Sequence, residues 1–291
     1  MKSKKGFEIL SHIVLIIMCV LCIVPFILLI VSSFTAETSL IANGYSFWPE
    51  EFSLDAYKYV IGEGSIFRAY GITLFVTAVG TAAALIITTL IAYPLSIAEI
   101  PGRNVVNFFV FFTMLFSGGL VPSYMMWTQI FGIKNTIWAY IVPGLITNGF
   151  TIMVMRSYFT ANIPKEILES ARVDGASEFK TLIKIVLPVS LPILATIGLM
   201  SGIAYWNDWT NGLYYVTEYK LSSVQVLLNR MLTNAQYLQQ SSSYGTVSME
   251  AIPTTGVRMA IAVIGAVPLM CIYPFFQKYF AKGMTLGAVK G

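Results

Sequence analysis

Long apolar runs separated by short polar intervals set the pattern of this 291-residue chain. A helix needs about 20 mostly apolar residues to cross a bilayer. Six runs reach that length, at roughly 10–33, 71–95, 104–125, 135–158, 182–205 and 257–280. The pattern predicts an all-α integral membrane protein with six transmembrane helices. The first run follows Lys2, Lys4 and Lys5, but its apolar core is too long for the h-region of a signal peptide. "VSSFTAETS" offers no A-x-A cleavage site either, so this run is read as a retained span. Two intervals are long. Residues 34–70 hold enough apolar and aromatic side chains to fold against the membrane surface, and 206–256 read as an exposed, turn-rich loop.

One interval breaks the pattern by its charge. "ESARVDGASEFKTLIKIVLP", residues 169–188, holds Glu169, Arg172, Asp174, Glu178, Lys180 and Lys184 around a single Gly175. Pro164 suits the start of a helix, where its missing N–H costs nothing. Lys165 and Glu169 stand four apart and can pair, and Ile167, Leu168 and Ala171 make a small apolar face. Gly175 sits where a left-handed residue closes a helix. Ser177 can then cap a second helix, with Glu178 favourable at its positive end. Pro188 and Pro192 weaken the hydrogen bonding of the following span and predict a bend there. The expected element is helix, sharp turn and helix, joined rigidly to a span.

Composition agrees with the run pattern. Hydrophobic residues make up 56% of the chain and charged ones 11%, against about 25% charged in soluble domains. Twelve of the 18 Lys and Arg residues fall on one side of the six-span arrangement, together with both termini. The positive-inside rule makes that side cytoplasmic. Cys19 and Cys22 form a C-x-x-C inside an apolar run and read as small apolar side chains, as does Cys271. His12 is the only histidine, which excludes sites built on several histidines. No G-x-S-x-G or H-E-x-x-H is present. No Asp or Glu lies inside a run, which weighs against a proton-coupled transporter, and no filter-like segment suggests a channel.

The charged interval resembles the EAA motif of bacterial ABC-importer permeases: E-A-A, three residues, G, nine residues, I-x-L-P. Glu169, Ser170 and Ala171 are followed in register by Gly175, then Ile185, Leu187 and Pro188. Ser170 in place of the first alanine is the one departure, and it is also small. "MLFSGGLVPSY" and the terminal "FAKGMTLGAVKG" resemble the carbohydrate-uptake branch, related to the smaller permease of maltose-type importers. The resemblance implies a type I ABC importer permease fold in a bacterial cell membrane. It makes residues 159–181 a coupling loop, with Asp174 at its turn, seated on one of two cytoplasmic ABC ATPase subunits. It also implies a second, non-identical permease and an extracellular or periplasmic solute-binding protein that delivers a carbohydrate. ATP and Mg would belong to the ATPases, with no cofactor, metal or nucleic acid on this chain. Around the core of 71–280 lie an N-terminal part, 1–70, and a tail, 281–291. Gly283, Gly287 and Gly291 favour an extended backbone in the tail, and Val289, Lys290 and Gly291 match a segment that inserts between the ATPases in that family.

A substrate path is less sharply marked. Gly118, Gly119 and Pro122 break the third run, as a helix terminus or as a gate. Asn148 is expected mid-span, packing between helices or lining a cavity. Trp206, Asn207, Asp208 and Trp209 put aromatic faces beside polar groups, which suits sugars and equally an interfacial aromatic belt. Gly198 and Gly202 form a G-x-x-x-G suited to helix packing. Arg258 could attract an anionic sugar or snorkel to the interface. Overall resemblance is greatest to permeases for complex oligosaccharides, some of them uronate-containing. An ion-coupled transporter, or a permease for a non-sugar solute, is the alternative.

Overall fold

The computed structural model describes residues 2–62, 65–243 and 254–288. In chain order the helices are α1 (Lys2–Ser33), α2 (Glu37–Asn43), α3 (Asp55–Gly62), α4 (Ser65–Ser96), α5 (Arg103–Leu115) and α6 (Leu120–Met125). They continue with α7 (Trp138–Ile141), α8 (Gly149–Asn162), α9 (Lys165–Val173), α10 (Glu178–Thr181), α11 (Leu187–Val189) and α12 (Leu191–Trp206). The last three are α13 (Thr210–Tyr215), α14 (Val224–Ser243) and α15 (Thr254–Ala288). Two π-helical turns, Met126–Ile130 and Leu182–Val186, extend α6 and join α10 to α11. Among the described residues the only β pairing outside helices is a single bridge, Thr35 to Phe52.

Three helices are long and apolar enough to cross a membrane: Gly6–Ser33, Ser65–Ser96 and Thr255–Ile272. Two more candidates are bent pairs. Arg103–Leu115 and Leu120–Ile130 meet at 114°, across "FSGG", where Gly119 has φ +83°. Glu178–Val189 and Leu191–Trp206 meet at 85° at Ser190. The second bend is the one that Pro188 and Pro192 predict, because neither can donate a helical hydrogen bond.

The run at 135–158 departs from expectation. It is not one helix: α7 ends at Ile141, the chain leaves helical geometry through Pro143 and Gly144, and α8 starts at Gly149. Asn148 is therefore not mid-span in a helix. It is the N-cap of α8, its Oδ1 accepting from the N–H groups of Phe150 (2.9 Å) and Thr151 (3.3 Å). The interval 206–256 also differs, since much of it is helical. Val224, Val226, Leu227, Leu228 and Met231 give α14 a buried face. The tail differs too, because α15 continues to Ala288 where an extended backbone is expected. Ala281, Lys282, Met284 and Leu286 are strong helix formers, and a glycine costs only about 1 kcal/mol in a helix.

The chain divides into two compact units. One comprises Met1–Ile66 and Leu227–Pro268. In it Phe34 stacks on Phe52 and Tyr57, at 5.6 and 4.9 Å between ring centres. The Glu37 carboxylate accepts from the N–H groups of Thr255 and Gly256, both at 2.8 Å, so a charged group satisfies backbone donors that lack helical partners at the start of α15. The other unit, Phe67–Val226 and Leu269–Gly291, has two core clusters. Ala92, Tyr93, Ile152, Met155, Phe159, Leu182, Val186 and Ile197 belong to the first. Val76, Ala84, Tyr140, Ile141, Tyr205, Tyr215 and Val226 belong to the second. α4 contributes to both. A Cβ on Gly198 would lie 3.3 Å from Leu85, and one on Gly202 3.5 Å from Thr81, so the G-x-x-x-G seats α12 against α4.

Candidate functional site

The charged interval folds as a helix, a closed turn and a helix. Pro164 is extended (φ −61°, ψ 137°) and precedes α9. Leu168 and Ala171 turn inward, Leu168 packing on the first core cluster, while Ile167 stays exposed. α9 ends in a Schellman closure: Gly175 N–H donates to Arg172 O (3.0 Å) and Ala176 N–H to Ala171 O (2.9 Å). Asp174 occupies the C-cap, and Gly175 takes the left-handed conformation with φ +72°. Ser177 caps α10, its Oγ accepting from Lys180 N–H at 3.4 Å.

Glu169, Ser170, Asp174 and Gly175 are exposed and Ala171 is buried. Ile185 and Leu187 are half-buried, and Pro188 is exposed on α11. Around the turn, Val173 is 87% exposed and Phe179 63%. Ile167, also exposed, is a third apolar side chain among the charged ones.

The sequence reading missed the contact that fixes this turn. Lys165 and Glu169 form no ion pair; instead Arg172 Nε donates to Glu178 Oε1 at 2.8 Å, across the glycine. Tyr93, from the end of α4, donates its hydroxyl to Glu178 Oε2, also at 2.8 Å. Tyr93 and Arg172 thus donate to the two oxygens of one carboxylate. Opposite charges flanking Gly175 were a signal for the first contact. Nothing local marked Tyr93, which lies 85 residues away. Beneath α9, a small cleft is lined by Tyr93, Ser96, Glu99, Phe159, Lys165 and Glu169, among others. Arg156 Nε donates to Leu95 O at 3.0 Å and ties α8 to the last turn of α4.

The remaining candidates lie elsewhere. Trp206 is buried, its ring 6.3 Å from that of Tyr70, whereas Asn207 and Trp209 are exposed. Asp208 Oδ1 accepts from Asn211 N–H at 3.0 Å, while its Oδ2 is buried without a hydrogen-bond partner. That burial pushes its carboxyl upward. Asn148 is occupied as a cap, and Arg258 is half-buried in the first turns of α15. Val289, Lys290 and Gly291 lie outside the described residues.

Known proteins resemble the chain along its whole length. It is 36% identical over 290 residues to a polygalacturonan/rhamnogalacturonan transport system permease protein of Bacillus subtilis (strain 168), covering 99% of this chain and 100% of that one. It is 30% identical to a trehalose/maltose transport system permease protein of Thermococcus litoralis, over 98% of this chain and 99% of that one. A solved bacterial ABC transporter involved in the import of the acidic polysaccharide alginate contains a chain of the same fold. That chain matches with TM-score 0.80 and 28% identity, over 96% of this chain and 98% of the other. Residues 2–286 match the binding-protein-dependent transport system inner membrane components as a family. The chain belongs to that family.

Proposed function

We propose that this chain is one of two non-identical permease subunits of an ATP-driven carbohydrate importer, and that its substrate is an acidic oligosaccharide. The observation that carries the coupling role is the turn at 165–181: a helix closed by paired backbone hydrogen bonds, with Ile167, Val173 and Phe179 exposed around it. Large apolar side chains left exposed beside charged ones suit contact with a partner, and the register of Glu169, Ser170, Ala171, Gly175, Ile185, Leu187 and Pro188 supports an ABC ATPase in that place. The acidic substrate is supported by the relatives named for polygalacturonan/rhamnogalacturonan and alginate.

Its six spans are three single helices, two bent pairs and the interrupted run at 135–158, with both termini cytoplasmic. ATP and Mg belong to the ATPases, and Val289, Lys290 and Gly291 reach their interface. A binding protein delivers sugar from outside and meets the region 232–250. Asn207 and Trp209 face the path, while Asn148, Trp206 and Asp208 hold its surroundings.

The test is uptake of trigalacturonate into proteoliposomes holding the co-purified complex, with its binding protein outside. Uptake should require internal ATP and survive collapse of the proton and sodium gradients. Removing residues 284–291 should leave insertion intact and lower ATP hydrolysis that accompanies uptake. Uptake driven by an ion gradient without ATP would overturn the reading, and a silent truncation would remove the tail from it.

A further inference from the structure

A turn that receives a push must pass it on, and the covalent routes out of residues 165–181 are compliant. Toward the C-terminus the chain runs through the π-helical turn Leu182–Val186 and then the 85° bend at Ser190. A π-helical turn and a proline-weakened bend are both places where a helix yields. Toward the N-terminus, Ile163 and Pro164 are extended and separate α9 from α8. Apolar packing of Leu168 and Ala171 holds the turn down, yet it is non-directional.

One contact is directional. Among the described residues, the hydrogen bond from Tyr93 to Glu178 is the only side-chain hydrogen bond joining residues 165–181 to another element. Tyr93 is well placed to receive force. It is 5% exposed and packs edge-on against Phe159, with ring centres 6.5 Å apart. It sits near the end of α4, a 32-residue helix about 48 Å long at 1.5 Å per residue. From Tyr93 in the first core cluster, α4 runs unbroken to Ala84 and Val76 in the second. Glu178 also grips Arg172 on α9, so one carboxylate joins both helices of the turn to α4.

We propose that Arg172, Glu178 and Tyr93 form a relay that transmits displacement of the coupling turn to α4. In this relay Glu178 and Tyr93 are positioning residues, acting through the helices they join. The proposal rests on the coupling role assigned above. It adds that α4 is a driven element, alongside the α10–α12 segment that is continuous with the turn.

Tyr93→Phe removes one hydroxyl and leaves the ring in its socket, so the fold should hold. Glu178→Gln keeps an acceptor for Tyr93 and weakens the grip on Arg172; Glu178→Ala removes both. The complex is reconstituted with its binding protein and trigalacturonate, and ATP hydrolysed per sugar imported is measured. Tyr93→Phe and Glu178→Ala should each raise that ratio about tenfold, the worth of one hydrogen bond to a charged group. The double variant should match Glu178→Ala alone, because the two groups act as one unit. Glu178→Gln should fall between wild type and Glu178→Ala.

A merely structural role would change the yield of complex and leave the ratio as it is. An unchanged ratio in Tyr93→Phe, or effects that multiply in the double variant, would overturn the relay. Should Tyr93→Phe yield no complex, Glu178→Gln decides by the same ratio. Gly175→Val separates the relay from the reading beneath it. If Gly175→Val uncouples and Tyr93→Phe is silent, the relay alone fails; if both are silent, the coupling role fails. A wild-type complex that imports no trigalacturonate counts against the substrate. The relay is then read from the ratio of ATP hydrolysis with and without binding protein, which Tyr93→Phe should flatten.

Discussion

Gly175→Val is expected to reach the membrane and to lose import, whereas Gly175→Asn retains most of it. The reason is confined to the backbone. Gly175 has φ +72°, and a Cβ built there meets nothing within 4 Å, so crowding plays no part. What remains is the intrinsic cost of the left-handed region, about 1–2 kcal/mol for an ordinary residue and more for a β-branched one. Asparagine tolerates that region better than other non-glycine residues. Import should therefore fall in the order Gly, Asn, Ala, Val. The cost lands on the Schellman closure, where Gly175 and Ala176 satisfy the carbonyls of Arg172 and Ala171. Relaxing φ breaks those bonds, swings α10 away from α9 and separates Arg172 from Glu178. Uptake and retention of the ATPase subunits on purification read the effect together. Wild-type uptake with valine, or a series in which asparagine is as poor as valine, would sink the assigned turn.

Much of that turn could be read before any coordinates. A glycine after an amphipathic stretch, a serine two residues on and prolines at 188 and 192 are local signals, because each acts on its own backbone. The structure returns them as a positive φ, an N-cap and a bend. Local signals fail where a run of apolar residues is mistaken for a helix. The interval 135–158 is apolar enough to span, yet Pro143, Gly144 and the capping Asn148 divide it, and hydropathy does not register caps. The opposite holds at 234–243, where a polar sequence is helical because α14 begins on the buried face of Val224 to Met231. Tyr93 was illegible for a third reason. Its partner is set by how α4 meets the turn, and nothing in its neighbourhood encodes that pairing.

Gly212→Ala should be the most disruptive single-methyl change in the second core cluster. A Cβ at Gly212 would overlap Val226 Cγ2 and lie 2.7 Å from both Cε1 and the hydroxyl of Tyr140. Neither neighbour can yield cheaply. Val226 and Tyr140 are each 1% exposed, and close-packed interiors leave no void to receive them. Tyr140 is also held by its hydroxyl, which donates to Leu221 O at 3.0 Å and accepts from Ser223 N–H at 3.1 Å. Moving the ring would break both bonds and leave buried polar groups unpaired. Overpacking alone costs about 1–3 kcal/mol, and losing those bonds adds to it. The expected outcome is a lower unfolding temperature for the detergent-purified protein and less of it in the membrane. Val226→Ala in the same chain removes the nearest atom and should restore part of the loss. Gly118→Ala, where a Cβ meets nothing within 4 Å, should be silent. An unfolding temperature for Gly212→Ala equal to that of Gly118→Ala would mean that α13 does not sit against Tyr140 and Val226 as described.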